Sequence, residues 1–262
     1  MGSYMMKVNM RLKILFALTF GLSTLLNAQQ MKTYNGEYFP LWVLDMDKPK
    51  AVYSYYENED YERIYNGDFT CTFQVSDYLG RNTRQGSIKG KFKDGEYEGA
   101  WTIIYPYFFE GKKYSVTMTC FFENGVFDGP VKVVVKDGTG RIIGETKMEF
   151  KNGIRSGELT YYNKMMQGVF SEIKGQYAND ERSGKWTYVW DGDKGIIEFD
   201  EYGQQIKNFQ IDHRSGNKTY GINIYYTSLD YGGVSFLDLM HVLREINPNE
   251  ENKSMFIFQH EY

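Results

Sequence analysis

The chain has 262 residues, a formal net charge of -4 and a pI ≈ 5.6, so it lacks the basic footprint that nucleic-acid binding requires. Aromatic residues make up 17% of it, and 23 tyrosines and 27 glycines stand beside 5 prolines. That composition excludes a disordered chain and describes short strands joined by tight turns.

Residues 1–28 read as an export signal. Lys7, Arg11 and Lys13 form a basic stretch, Ile14 to Leu26 is apolar, and Ala28 is the small residue expected at a cleavage site. The apolar span is shorter than the ~20 residues a bilayer crossing needs. Export would place the rest of the chain in the periplasm or at the cell surface of a bacterium. That is an oxidising space, in which Cys71 and Cys120 are chemically able to pair.

Residues 29–206 carry a repeat. Two short copies come first, Tyr34-Asn35-Gly36-Glu37-Tyr38 and Tyr65-Asn66-Gly67-Asp68-Phe69. Between them lie acidic clusters, Asp45 and Asp47, then Glu57, Glu59, Asp60 and Glu62, which read as solvated loops and do not fit an EF-hand. Rings crowd the same region: Tyr53, Tyr55, Tyr56 and Tyr61. With Tyr107, Phe108 and Phe109 farther on, these rings are the candidate binding surface, because tyrosine offers flat contact area at low entropy cost.

Four fuller copies follow, at 88–99, 118–129, 146–157 and 173–184. Each has an aromatic ring (Phe92, Phe122, Phe150, Tyr177), a polar turn and a closing glycine (Gly99, Gly129, Gly157, Gly184). The turns are Asp94-Gly95, Asn124-Gly125, Asn152-Gly153 and Asn179-Asp180. Ile88, Gly90 and Phe92 alternate with Lys89, Lys91 and Lys93, and Trp101, Ile103 and Tyr105 alternate with polar or outward residues. Period-two alternation around an Asn-Gly or Asp-Gly tip predicts a β-hairpin with one buried face. The D-x-x-G stretches at Asp77–Gly80, Asp137–Gly140 and Asp200–Gly203 supply further tight turns. With hairpins stacked in sequence order, a whole hairpin separates Cys71 from Cys120, and two free thiols are expected.

Residues 207–262 read as a small α+β cap. Tyr220 to Tyr226 and Met255 to Phe258 read as strands. Ser235 and Asp238 form a capping box ahead of the helical stripe Phe236, Leu239, Met240, Leu243 and Ile246, which Pro248 stops. The expectation is that this helix covers the open edge of the sheet.

The repeat resembles the MORN family, whose unit is close to Tyr-x-Gly-x-aromatic-x-x-Gly-x-x-x-Gly. Copy 88–99 matches at Gly90, Phe92, Gly95 and Gly99, whereas Cys120, Met148 and Asp180 replace glycines in later copies. Trp101, Val131, Leu159 and Trp186 replace a further one. The resemblance is to the divergent, exported bacterial branch that includes antitoxin-like proteins. It implies an all-β, single-layer solenoid of antiparallel hairpins used for contacts with proteins or lipids, and it implies no chemistry.

His213, His241 and His260 have no partner at metal spacing, and no nucleophile motif or phosphate loop is present. The expected function is therefore an exported, cofactor-free, non-catalytic binding or scaffold module of the bacterial envelope, with a protein partner and a glycan or lipid as alternatives. The competing expectations are an antitoxin-like or immunity protein with one tight partner, and a carbohydrate-binding or carbohydrate-active protein.

Overall fold

The structure is a computed structural model that describes residues 30–38, 46–164, 170–190 and 192–220, together with Leu239 and Leu243. The expected export signal, the expected strand from Tyr220 to Tyr226 beyond its first residue, the expected strand at 255–258 and most of the expected C-terminal helix lie outside the described residues. The protein is all-β. Its strands are β1 (Lys32–Glu37), β2 (Asp47–Glu57), β3 (Arg63–Ser76), β4 (Thr83–Lys93), β5 (Glu96–Phe109), β6 (Lys112–Glu123) and the two-residue β7 (Val126–Phe127). They continue with β8 (Gly129–Asp137), β9 (Ile142–Lys151), β10 (Ile154–Asn163), β11 (Phe170–Ala178), β12 (Glu181–Trp190), β13 (Asp193–Phe199), β14 (Gln205–Ile211) and β15 (Lys218–Tyr220). All belong to one open 15-stranded sheet in which neighbours in sequence are neighbours in space, with β7 attached to β6. Every pairing is antiparallel.

The four fuller copies are hairpins, as their tips demand. Asp94-Gly95, Asn124-Gly125, Asn152-Gly153 and Asn179-Asp180 all have positive φ at both positions, the conformation of a two-residue turn that follows the twist of the strands. Successive tips are joined. The backbone N–H of Gly95 donates to the Tyr65 carbonyl (2.8 Å), Gly125 to Tyr97 (3.0 Å), Gly153 to Phe127 (2.7 Å) and Asp180 to Arg155 (3.0 Å). Each hairpin is thus tied at its tip to the strand before it.

Register explains the ring and the closing glycine. Phe92 sits across from Gly67, Phe122 from Gly99, Phe150 from Gly129, Tyr177 from Gly157 and Phe199 from Gly184. The glycine leaves room beside the next copy's ring, and its positive φ bends the strand there. This corrects the reading of the two upstream copies. Gly67 is a closing glycine of β3, equivalent to Gly99, and Tyr34 to Glu37 lies along β1, pairing Tyr34 with Tyr53. Neither segment opens a hairpin of the repeating kind.

The rings form a file along one end of the strands. Phe92 and Tyr97 lie 4.9 Å apart, Tyr97 and Phe122 4.7 Å, Phe122 and Phe127 4.3 Å, and Phe127 and Phe150 5.2 Å. Farther along, Arg155 takes the ring position and covers Tyr177 at 4.4 Å. Beside the file runs a second buried row, Ala51, Cys71, Ile88, Ile103, Met118, Val133, Thr146, Tyr161, Ile173 and Tyr188, paired residue to residue across successive strands. A buried ring removes about 150–250 Å² from water. At ~25 cal/mol per Å² this is worth about 4–6 kcal/mol before the cost of ordering the chain.

Cys71 on β3 and Cys120 on β6 are both buried free thiols, three strands apart. Burial pushes the Cys71 thiol up to about 12 and moves Cys120 in the same direction.

Leu239 and Leu243 overturn the expected place of the C-terminal helix. Both are helical and fully buried in the main core cluster. The Tyr97 hydroxyl donates to the Leu243 carbonyl. Tyr97 lies on β5, far from β15 in the strand order, so these leucines sit on the sheet's buried face and not at its open edge.

Candidate functional site

The opposite face of the sheet carries its own ladder. Thr70, Lys89, Thr102, Thr119, Lys132, Lys147, Thr160, Lys174 and Thr187 pair in succession across β3 to β12. Only threonine and lysine occur in this line. Lys89, Thr119, Lys147 and Lys174 are exposed and the others half-buried. Strand parity places them here: each is a direct neighbour in sequence of a residue in the buried row, and successive side chains of a strand point to opposite faces. Strands repeat every ~4.8 Å, so the ladder runs about 40 Å. The β-branched threonines hold restricted rotamers and lose little freedom when covered.

Charge on this face is local. Glu145, from the adjoining row, receives Lys147 at 2.7 Å and Lys132 at 3.0 Å. Burial alone would raise its carboxyl, but the two lysine hydrogen bonds outweigh that and hold it below the usual carboxylate range. Lys147 is raised in return by the same bond. Lys174 stands 3.9 Å from Glu172.

The structure does not bring the sequence-derived ring surface together. Tyr53, Tyr55 and Tyr107 are buried in the core cluster, so they are corrected from contact residues to packing residues. Tyr53 stacks between Tyr34 and Phe69, and its hydroxyl accepts from Arg63 Nη1 at 3.1 Å. Tyr107 stacks on Tyr114 at 5.3 Å. Tyr56 is half-buried near Asp94, Phe109 packs partly against the core, and Phe108 is half-buried. Only Tyr61 is fully presented, on the turn between β2 and β3 at the opposite end of the strands from Phe108. The Thr–Lys ladder was not found from sequence. Its signal is the run of Lys and Thr at alternate positions of each strand, but only the register shows that they line up.

The acidic stretch at Glu57–Glu62 serves a turn, while Asp47 opens β2 and Asp45 lies outside the described residues. Asn58 Oδ1 accepts from the backbone N–H of Asp60 and Glu62, which closes the Glu57–Glu62 segment. Asp137 accepts from the Thr139 hydroxyl and N–H and from Arg141, and these bonds lower its carboxyl. Asp193 accepts from the His213 N–H at 2.9 Å and faces its Nδ1 at 2.7 Å, which also holds that carboxyl low. Among the described residues no three His, Cys, Asp or Glu side chains are grouped as metal ligands.

No family model and no curated protein matches the chain. The geometry of the two faces is therefore what a functional reading rests on.

Proposed function

We propose that this protein is an exported, non-catalytic binding or scaffold module of the bacterial envelope, built as a MORN-like solenoid of stacked hairpins whose C-terminal part packs on the buried face of the sheet. It works by recognition across the exposed face of its sheet, and the partner is a protein. The observation that carries the reading is the Thr–Lys ladder, unbroken in register over β3 to β12. Backbone hydrogen bonds fix its spacing, so a partner meets a surface already ordered. With one row on each side, a strip about 40 Å long approaches the ~800 Å² that a standard interface takes from one partner. Threonines supply area, and the lysines select for acidic groups on the partner.

The test is photo-crosslinking of the full chain in its own envelope. A crosslinking residue at Thr119 or Thr160 is expected to capture one protein of constant mass, and Lys89→Glu with Lys174→Glu is expected to abolish the capture. A control at Asn124, on a hairpin tip, should not give that adduct. Equal capture from tip and face, or crosslinks from the face to lipid or glycan alone, would remove the proposal.

A further inference from the structure

The buried face poses its own question, independent of the outer ladder. A single sheet covers only one side of its residues, yet Ile88, Phe92, Tyr97, Trp101, Met118 and Phe122 are all sealed from solvent. Among the described residues, Leu239 and Leu243 reach them from outside the sheet. These two leucines are four positions apart, hence on one side of a helix, and both are helical and fully buried. Tyr97, held between Phe92 and Phe122, donates its hydroxyl to the carbonyl of Leu243 across 146 positions of sequence.

We infer that the trough lined by Phe92, Tyr97, Trp101 and Phe122 is a helix-binding groove, and that its occupant is this chain's own segment from Ser235 to Ile246. The segment has the right chemistry. At helical spacing the sequence sets Phe236, Leu239, Met240, Leu243 and Ile246 on one apolar stripe and Asp238, His241, Arg244 and Glu245 off it. Twelve helical residues span about 18 Å, the width of roughly four strands. Helix carbonyls near the C-terminal end lack partners within the helix, and the Tyr97 hydroxyl supplies one to Leu243. The reach is also sufficient. From β15 back to β5 is about 43 Å along a flat sheet, and the chain between Tyr220 and Leu239 extends to roughly 60 Å. A groove of rings filled by a leucine pair at helical spacing is one that any amphipathic helix of that pattern would fit, so the segment acts as a resident ligand competing with such helices.

Hydrogen exchange on the full chain and a labelled peptide of residues 233–248 test this together. In the native protein the amides of 235–246 are expected to be protected and the added peptide not to bind. Leu239→Asp with Leu243→Asp should remove that protection, leave the β-sheet circular dichroism intact and create binding of the peptide. Tyr97→Phe should keep the leucines buried but speed exchange across 235–246 by about five- to tenfold, the loss of one hydrogen bond. Unprotected amides in the native chain, or a double variant with its sheet intact that does not bind the peptide, would overturn the inference. If the double variant loses its sheet spectrum, Tyr97→Phe decides, and an exchange rate equal to the native one overturns it.

Discussion

Gly90 and Trp101 form a steric pair whose energetics follow from the structure. A Cβ on Gly90 would lie 2.0 Å from Trp101 Cδ2, whereas carbon atoms in ordinary contact stay ~3.5–4.0 Å apart. The indole has no room to retreat. Its ring is packed by Tyr97 at 4.6 Å, Phe92 at 5.0 Å and Phe69 at 5.8 Å, and its Nε1 donates to the Lys91 carbonyl at 3.2 Å. Gly90 is not among the residues with positive φ, so alanine meets only a steric objection there. Overpacking of this kind costs about 1–3 kcal/mol, offset by about 0.4–1 kcal/mol from the stiffer unfolded chain. Gly90→Ala should therefore lower stability by about 1–2 kcal/mol. Trp101→Val empties the space and should cost about 2–4 kcal/mol. In that background Gly90→Ala should become neutral or stabilising by up to about 1 kcal/mol, a coupling of about 1–3 kcal/mol. Gly90→Cys with Trp101→Val rebuilds the Cys120/Val131 pair of the next copy and should recover part of the loss. Urea midpoints at constant slope measure all four proteins. An unchanged midpoint for Gly90→Ala, or the same penalty in both backgrounds, would refute the reasoning.

Two further outcomes are expected. Gly99 has φ 67 and open space around its absent Cβ, so Gly99→Ala isolates the backbone term and should lower stability by about 1–2 kcal/mol, with Gly99→Asn costing less; Gly157→Val, at φ 77, should cost more because a β-branched chain resists that conformation, and an unshifted melting curve for either glycine would contradict the turn geometry. Cys71 and Cys120 should both resist a thiol reagent at pH 8 in the folded protein, since burial raises them and keeps the thiolate scarce, and both should react in denaturant; a folded protein that reacts at either position, or a denatured one with no reactive thiol, would be the contrary result.

The hairpins were legible because their information is local. Asp94-Gly95, Asn124-Gly125 and Asn152-Gly153 announce a turn from two residues, and the flanking alternation gives the buried face. What escaped is information carried between strands. Tyr65-Asn66-Gly67-Asp68-Phe69 imitates the opening of a repeat, and only its pairing with β4 reveals Gly67 as a closing glycine. Tyr53, Tyr55 and Tyr107 read as surface rings in the sequence because the parity of a strand is not fixed until its register is known, and the pairing of β2 with β3 shifts between Tyr53 and Tyr55. The Thr–Lys ladder was hidden for the same reason. The seat of Leu239 and Leu243 lay beyond reach altogether, since helical residues that follow β15 in sequence give no sign that they return to β5.

The departures from the repeat are not decay, because they occur in compensating pairs. Where the first-strand position holds glycine, at Gly90 and Gly175, the partner is Trp101 or Trp186, and a Cβ at either glycine would lie 2.0 Å from the indole. Where it holds Cys120 or Met148, the partner shrinks to Val131 or Leu159, so a larger side chain on the first strand is met by a smaller one on the second, and all four are buried. The file of rings obeys a similar rule in charge. Tyr65, Tyr97 and Phe127 give way to Arg155 at the equivalent place, and in the next copy the turn glycine gives way to Asp180. Arg155 lies over the Tyr177 ring, donates Nη1 to its hydroxyl at 3.1 Å, and donates Nε to Asp180. One exchange thus calls for the other: the guanidinium keeps the file continuous only if its remaining donors are met, and Asp180 meets them from the tip of the following hairpin. A repeat scored copy by copy counts these as two losses each. Scored across neighbouring strands, each is one contact preserved in a different currency of volume or charge.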